Sequence, residues 1–185
     1  MLDHELRVQA PSDANTSYLL ESVADAAKPA AEADAPPPPR CDEGKLALSE
    51  KRFDAAVDDL ESCVAANPDN AEILFARGRA YAGIERFERA ELDLSRALEI
   101  DGTNQPGWET LSFVRVRMGD DAGAVDALDH WLALNPAAGE AYRARADAMY
   151  RMGKVDLASH DARKACDLGV ADGCVLEERI RSVRR

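Results

Sequence analysis

A repeat of 34 residues runs without insertion or deletion through positions 37–172, and it constrains the fold more than any other feature of the sequence. Self-similarity at this period is typical of helical hairpins that stack on one another, because a single hairpin cannot bury its apolar face alone. The four units are residues 37–70, 71–104, 105–138 and 139–172. Positions within each unit are numbered from 1 to 34 below.

Small residues recur at two positions of the unit. Position 20 is always alanine: Ala56, Ala90, Ala124 and Ala158. Position 8 is also small: Gly44, Gly78, Ser112 and Ala146. Antiparallel helices approach closely only where the side chains between them are small, so these positions predict the contact inside each hairpin. Pro68 and Pro136 at position 32 are expected to end the second helix, since proline lacks an amide hydrogen. We call the first helix of each unit helix A and the second helix B.

These columns resemble the tetratricopeptide repeat (TPR), most clearly in the second unit. Six of its residues stand in consensus places: Gly78, Tyr81, Phe87, Ala90, Leu94 and Ala97. The resemblance implies an all-α, right-handed superhelical solenoid of four TPR helix-turn-helix repeats. Arg115 and Trp131 depart from the pattern, which has an aromatic residue and an alanine at those positions. We expect Trp131 to fill the space that Arg115 leaves.

The two ends of the chain differ from the repeats. Residues 173–185 continue the register of a helix A and predict a capping helix, as stacked repeats need at their ends. Their basic ending, RIRSVRR, leaves open a partner-binding tail. Residues 1–36 are rich in alanine and proline and contain seven acids against two bases, which favours a mostly disordered acidic tail. A short amphipathic helix is possible over residues 17–27.

The overall charge and hydropathy argue against two classes of partner. The chain has 35 acidic and 23 basic residues among 185, and a net charge of -12 disfavours nucleic acid. No apolar stretch approaches the roughly 20 residues that a membrane-spanning helix needs. The first residues also lack the pattern of a signal peptide. The expected location is therefore cytoplasmic if the chain is complete, with a periplasmic or secreted location as the alternative.

The four cysteines could form two pairs. Cys41 at position 5 and Cys63 at position 27 are expected at similar heights on antiparallel helices, whereas Cys166 and Cys174 lie near a helix end and the next helix start. The stretch KACDLGVADGC resembles the junction of cysteine-containing Sel1-like repeats, in which such cysteines clamp neighbouring helices. The alternative is four small buried thiols. Pairing would imply an oxidising compartment, and the spacing fits no zinc site.

The TPR resemblance implies that a peptide binds along a concave groove lined by helix A. The candidate binding residues are Lys45, Phe75, Arg79, Phe113, Arg117, Arg143, Tyr150 and Arg151. Their basic side chains favour an extended or helical segment with acidic character. Aromatic and arginine side chains also dominate interface energetics. The alternative is that Phe75 and Phe113 cover neighbouring core. The carboxylate clamp of chaperone-binding TPR proteins is absent, since Cys41 and Lys45 stand where lysine and asparagine are needed.

The sequence predicts a non-catalytic protein-binding or peptide-binding scaffold or assembly factor. The alternative is an exported, disulfide-clamped repeat protein of the cell envelope that interacts with envelope machinery or host proteins. No catalytic residues, metal site or cofactor are predicted, since no catalytic motif stands out. One further hypothesis is self-docking of residues 1–36, in which Tyr18, Leu19 and Leu20 occupy the groove of their own chain. Its motive is the opposite charge of the tail and the groove.

Overall fold

The computed structural model describes residues 39–183, and this part of the chain contains only α-helices as regular structure. The predicted acidic tail over residues 1–36, its helix at 17–27 and its self-docking lie outside the described residues. The helices are α1 (Cys41–Ser49), α2 (Phe53–Ala66), α3 (Ala71–Gly83), α4 (Phe87–Ile100), α5 (Gln105–Met118), α6 (Asp121–Leu134), α7 (Gly139–Arg151), α8 (Val155–Asp167) and α9 (Ala171–Val183). The short α1 begins only after Pro39.

Each helix packs chiefly against the next one along the chain, so helix A and helix B alternate through the array. Helix A of the four units is α1, α3, α5 and α7, and helix B is α2, α4, α6 and α8. Consecutive packing of this kind, without strands in the described residues, is an all-α repeat solenoid, which confirms the predicted fold class. The final helix, α9, packs on α8 as a fifth helix A.

Close approach inside each hairpin depends on the small residues of positions 8 and 20. The alanines at position 20 are completely buried. At position 8, a Cβ added to Gly78 would lie 2.8 Å from Cγ of Leu94 and 3.3 Å from the carbonyl oxygen of Ala90. The two helices of the hairpin therefore lie so close together that only glycine fits at this position without a shift of Leu94.

The turn between helix A and helix B has the same backbone in every unit. Its position 15 is left-handed in all four, with φ values of 59° at Lys51, 58° at Glu85, 79° at Gly119 and 76° at Gly153. A glycine adopts this conformation at no steric cost, whereas lysine and glutamate are strained there by about 1 kcal/mol. The first two units therefore accept strain that the last two avoid.

Buried ion pairs replace apolar contacts in two of the four hairpins. At positions 7 and 23, the second unit has Arg77 paired with Asp93, and the fourth has Arg145 paired with Asp161. Hydrogen bonding to Asp93 raises the pKa of the Arg77 guanidinium above its ordinary value. Both pairs lie between the two helices of one hairpin, so they fix the register of helix A against helix B.

Two disulfides lie at the two ends of the described array. Cys41 of α1 is bonded to Cys63 of α2, with their Cα atoms 5.6 Å apart. Cys166 of α8 is bonded to Cys174 of α9, with their Cα atoms 4.6 Å apart. The first bond closes the short first hairpin, and the second ties the last helix to the array. Terminal units have a neighbour on one side only, so these are the places where cross-links offset missing packing.

Candidate functional site

Three adjoining clefts follow the exposed sides of α1, α3, α5 and α7. The first, of about 260 Å³, lies between α1 and α3. The second, of about 380 Å³, continues towards α5, and the third, of about 280 Å³, lies between α5 and α7. Leu48 and Arg79 line both the first and second clefts, and Phe113 lines both the second and third. We call this continuous surface the groove.

Most of the candidate binding residues line the groove. Their distribution over the three clefts is Lys45, Phe75 and Arg79 in the first, Arg79, Phe113 and Arg117 in the second, and Phe113, Arg143 and Arg151 in the third. Tyr150 lines none of these clefts. It is half-buried and packs against a core cluster that includes Ala146 and Ile180. The sequence pattern did not distinguish this packing role from a binding role.

Four of the five groove cations are already paired with acids of the same chain. Lys45 contacts Glu72 at 2.6 Å, and Arg117 contacts Glu85 at 3.1 Å. Arg143 lies 2.9 Å from Glu140 and 3.1 Å from Asp147, while Arg151 lies 2.6 Å from Asp121. Hydrogen bonding to Asp121 raises the pKa of Arg151. These cations are therefore partly neutralised before any ligand arrives.

Two of these pairs follow from the repeat itself. Arg117 and Arg151 both occupy position 13 of helix A, and each contacts an acid at the turn of the preceding unit. The acids are Glu85 at position 15 and Asp121 at position 17. A position-13 arginine therefore links successive hairpins across the groove.

Arg79 differs from the other groove cations because no carboxylate within the described residues is paired with it. Its guanidinium lies 5.5 Å from the centre of the Phe75 ring, an arrangement that holds the charge against an aromatic face. At the other end, the exposed Glu109 has no cationic partner in the described part of the chain. The groove is therefore polarised, with free positive charge at the first two clefts and free negative charge at the third.

Phe113 is the exposed aromatic residue at the centre of the groove, with 48% of its surface accessible. Its ring meets that of Phe87 edge-on, with centroids 6.5 Å apart, and the Arg117 guanidinium lies 5.7 Å from its centre. Phe75 is half-buried and packs against the main core. The two phenylalanines therefore differ: Phe75 partly covers core, whereas Phe113 offers an apolar surface to a ligand.

Trp131 contributes to the third cleft from helix B, which the sequence pattern did not indicate. The side chain packs with Leu128, Leu132 and Ala141, and its Nε1 hydrogen is buried without a hydrogen-bond acceptor. Arg115 lies elsewhere and donates to Glu91 at 2.9 Å and to the Gly123 carbonyl at 3.0 Å. The departure from alanine at this position was the available sign that helix B reaches the groove here.

Residues 39–183 contain neither a metal-binding cluster nor a membrane-spanning helix. No group of three or more histidine, cysteine, aspartate or glutamate side chains is arranged to hold a metal ion in this range. None of the helices found there has the length and apolarity that a bilayer crossing requires.

Comparisons with known proteins agree on the kind of repeat. A family model described as tetratricopeptide repeat matches residues 47–112. The TPR repeat-containing protein PA0015 of Pseudomonas aeruginosa is 36% identical over 77 residues, which cover 42% of this chain and 73% of that protein. The Hsp70-Hsp90 organizing protein of Triticum aestivum is 30% identical over 94 residues, covering 51% of this chain but only 16% of the wheat protein.

Solved structures with the same fold include MamA and a TPR domain bound to an HSP90 peptide. A MamA crystal structure has a TM-score of 0.67 at 22% identity, covering 77% of this chain and 85% of MamA. The first TPR domain of Spaghetti (RPAP3), bound to the HSP90 peptide SRMEEVD, has a TM-score of 0.57 at 19% identity, covering 61% of this chain and 91% of that domain. At these identities the likeness establishes the fold alone.

Proposed function

The chain belongs to the tetratricopeptide repeat family, and on that premise we propose that it is a non-catalytic scaffold that binds a peptide segment of another protein along the groove. The proposal rests on two residues that line the same cleft: Arg79, a cation without an acidic partner among the described residues, and Phe113, an exposed aromatic side chain. Aromatic and arginine side chains are the groups that most often dominate binding energy. The RPAP3 domain, of the same fold, is bound to a peptide.

The preferred ligand is an extended or helical segment with one acidic group near Arg79 and an apolar side chain at Phe113. A strongly acidic ligand is disfavoured, because Lys45, Arg117, Arg143 and Arg151 are already paired. Desolvating such pairs for a second acid costs binding energy. The free acid at Glu109 favours a neutral or basic group at the far end of the segment. The ligand would therefore bind in one direction.

A peptide-display selection on the full-length chain tests this proposal. Sequences that bind the wild type should contain an acidic and an apolar residue, and Arg79→Glu should weaken their binding by roughly tenfold or more. The matched control is Arg86→Glu, the same charge change at an exposed arginine that lines none of the three clefts. If the selected peptides bind both variants equally, the groove is not the binding surface.

The proposal includes self-docking, in which the acidic tail of residues 1–36 occupies the groove of its own chain. Replacing Tyr18, Leu19 and Leu20 by serine in the full chain should then raise the affinity for a selected groove peptide, because an internal competitor is removed. Unchanged affinity would remove this part of the proposal without affecting peptide binding itself.

The disulfides support a second candidate, an exported repeat protein of an oxidising compartment such as the periplasm. Disulfides persist in such compartments and are rare in a reducing cytoplasm. Thiol titration of the protein from its native source, under denaturing and non-reducing conditions, distinguishes the two locations. Absence of titratable thiols supports export, whereas four free thiols would assign the protein to a reducing compartment.

A further inference from the structure

The last helix, α9, begins two residues earlier in the repeat than the helices A before it. Counting on from the fourth unit places position 1 at residue 173, whereas α9 begins at Ala171. One residue is lost because α8 ends at Asp167, position 29, while α2, α4 and α6 all end at position 30. The other is lost from the connection, which has three residues, 168–170, where each preceding connection between units has four. Positions in α9 are therefore counted from Ala171.

The buried residues of α9 agree with this count. Gly173 then stands at position 3, like Gly107 of α5, and both glycines face the preceding helix B. A Cβ added to Gly173 would lie 2.6 Å from Cβ of Ala165, and one added to Gly107 would lie 2.8 Å from Cδ2 of Leu98. Ile180 stands at position 10 and is completely buried, as are the residues at this position in the internal helices, Ala80, Val114 and Ala148.

Three exposed residues of α9 therefore occupy positions 5, 9 and 13, from which the internal helices A line the groove. In α3 and α7 these positions hold six residues that line the clefts: Phe75, Arg79, Gly83, Arg143, Asp147 and Arg151. In α9 they hold Val175, Arg179 and Val183, and the two valines have 60% and 68% of their surface accessible. Since α9 also contacts α7, this row continues the groove by one helix beyond the third cleft.

Arg179 matches Arg79 both in its position and in its surroundings. Both arginines are exposed at position 9, and neither is paired with a carboxylate in the described residues. Each has an apolar residue about one helical turn earlier, Phe75 or Val175. At position 13, Val183 replaces the arginine that pairs with an acid of the preceding turn in α5 and α7. The row on α9 is therefore a cation without a counter-charge between two apolar side chains.

The free charges along the extended groove alternate in sign, from Arg79 through Glu109 to Arg179. We propose that the groove continues onto α9 and that its ligand is a segment with two acidic residues, one for Arg79 and one for Arg179, joined by an apolar stretch and a neutral or basic group. Such a segment neutralises both cations and leaves the ion pairs between them intact, so it avoids the cost of desolvating those pairs. An apolar residue beside the second acid covers the two valines. This inference rests on the proposed function, because it specifies the ligand of the same groove.

A peptide selection on the full-length wild-type chain supplies the probe. Random peptides of about 16 residues are long enough, since they span roughly 50 Å when extended. The tightest binder should contain two separated acidic residues, and it is synthesised with a fluorophore for anisotropy. Arg179→Glu should weaken its binding by about fivefold, because an exposed ion pair becomes a like-charge contact. The matched control is Arg181→Glu on the same helix, where the arginine contacts Glu177 outside this row. That variant should retain the wild-type affinity within about twofold.

Charge reversal assigns each acid of the probe to one arginine. Of the two peptides in which one acid is replaced by lysine, one should regain affinity with Arg179→Glu and the other with Arg79→Glu, because the pair is restored with opposite signs. Circular dichroism should be the same for all variants, since these arginines are exposed.

The outcomes separate this inference from the proposed function. If Arg79→Glu weakens binding while Arg179→Glu and Arg181→Glu bind the probe equally, the extension onto α9 is overturned and binding in the three clefts stands. A tightest binder with a single acid, or a lysine peptide that regains no affinity with Arg179→Glu, also overturns the extension. If none of the three variants changes the affinity, the groove is not the binding surface, and both proposals fail.

Discussion

The guanidinium of Arg77 donates two parallel hydrogen bonds to the carboxylate of Asp93, from Nε at 2.7 Å and from Nη2 at 2.8 Å. The same geometry recurs between Arg145 and Asp161 in the fourth unit. The third unit has no such pair, because Leu111 and Ala127 occupy the equivalent positions and are buried. Positions 7 and 23 are therefore filled by an ion pair in two units and by an apolar contact in the third.

The first prediction compares the ion pair with an apolar contact at the same two positions of the second unit. Arg77→Leu alone should lower the free energy of unfolding by about 3 to 5 kcal/mol, because it leaves the carboxylate of Asp93 buried without its partner. Adding Asp93→Ala, which copies the third unit, should recover most of the loss, since a buried ion pair is often replaceable by apolar residues. Urea unfolding followed by circular dichroism measures both values. Equal stability of the single and double variants would contradict this interpretation.

The repeat register was enough to predict the hairpins and to place Cys41 beside Cys63, while it left open whether the four cysteines form disulfides or remain thiols. The hairpins and this placement follow from local periodicity, because a gapless period gives every residue its place relative to the helix A–helix B contact. The register also accounts for two ion pairs of the groove. Arg117 and Glu85 stand 32 residues apart, and Arg151 and Asp121 stand 30 apart, close to one period of the array. The pairs of Arg117 and Arg151 could therefore have been anticipated from position 13.

Other features depend on side-chain packing that a pattern does not specify. Tyr150 occupies a position that the TPR resemblance assigns to the groove, yet it packs against the C-terminal core. Trp131 belongs to helix B and still lines the third cleft, because an indole is long enough to pass between α5 and α7. Side-chain length and the neighbours available at each site decide these outcomes, and both differ from one unit to the next.

The second prediction concerns the unpaired hydrogen of Trp131. Trp131→Phe should leave the free energy of unfolding within about 1 kcal/mol of the wild type, because it removes a buried donor that has no acceptor together with part of the ring. Trp131→Ala should cost about 3 to 5 kcal/mol, since it opens a cavity. Thermal and urea unfolding of both variants provide the measurement. A phenylalanine variant as unstable as the alanine variant would show that the indole hydrogen has a partner in solution.

The third prediction concerns the disulfides at the ends of the array. Loss of either bond should lower the free energy of unfolding by about 2 to 3 kcal/mol, with the larger effect for Cys41–Cys63 because it closes the longer loop. Hydrogen exchange should locate the effect, with faster exchange in α1 and α2 after Cys41→Ser with Cys63→Ser, and in α9 after Cys166→Ser with Cys174→Ser. A variant lacking all four cysteines is the control and should not respond to reductant. Identical exchange in oxidised and reduced wild-type protein would contradict the prediction.

The fourth prediction uses the strained turn that carries Glu85. This residue combines a left-handed backbone, with φ of 58°, and the ion pair with Arg117 at 3.1 Å. Glu85→Gly should relieve about 1 kcal/mol of backbone strain and lose less than about 1 kcal/mol from an exposed ion pair. The variant should therefore be about as stable as the wild type or slightly more stable, and it should leave Arg117 free in the groove.

Freed from Glu85, Arg117 should strengthen binding of an acidic groove peptide by roughly two- to fivefold, the range of a surface charge pair. The matched control is Lys51→Gly, which relieves the same backbone strain at position 15 of the first unit, where φ is 59°. Lys51 does not line the clefts, so this variant should gain stability without a change in affinity. Titration calorimetry with one selected peptide compares the two variants with the wild type. If both glycine variants change affinity equally, the turn affects binding through its backbone conformation. In that case the Arg117–Glu85 pair does not weaken binding of the acidic peptide.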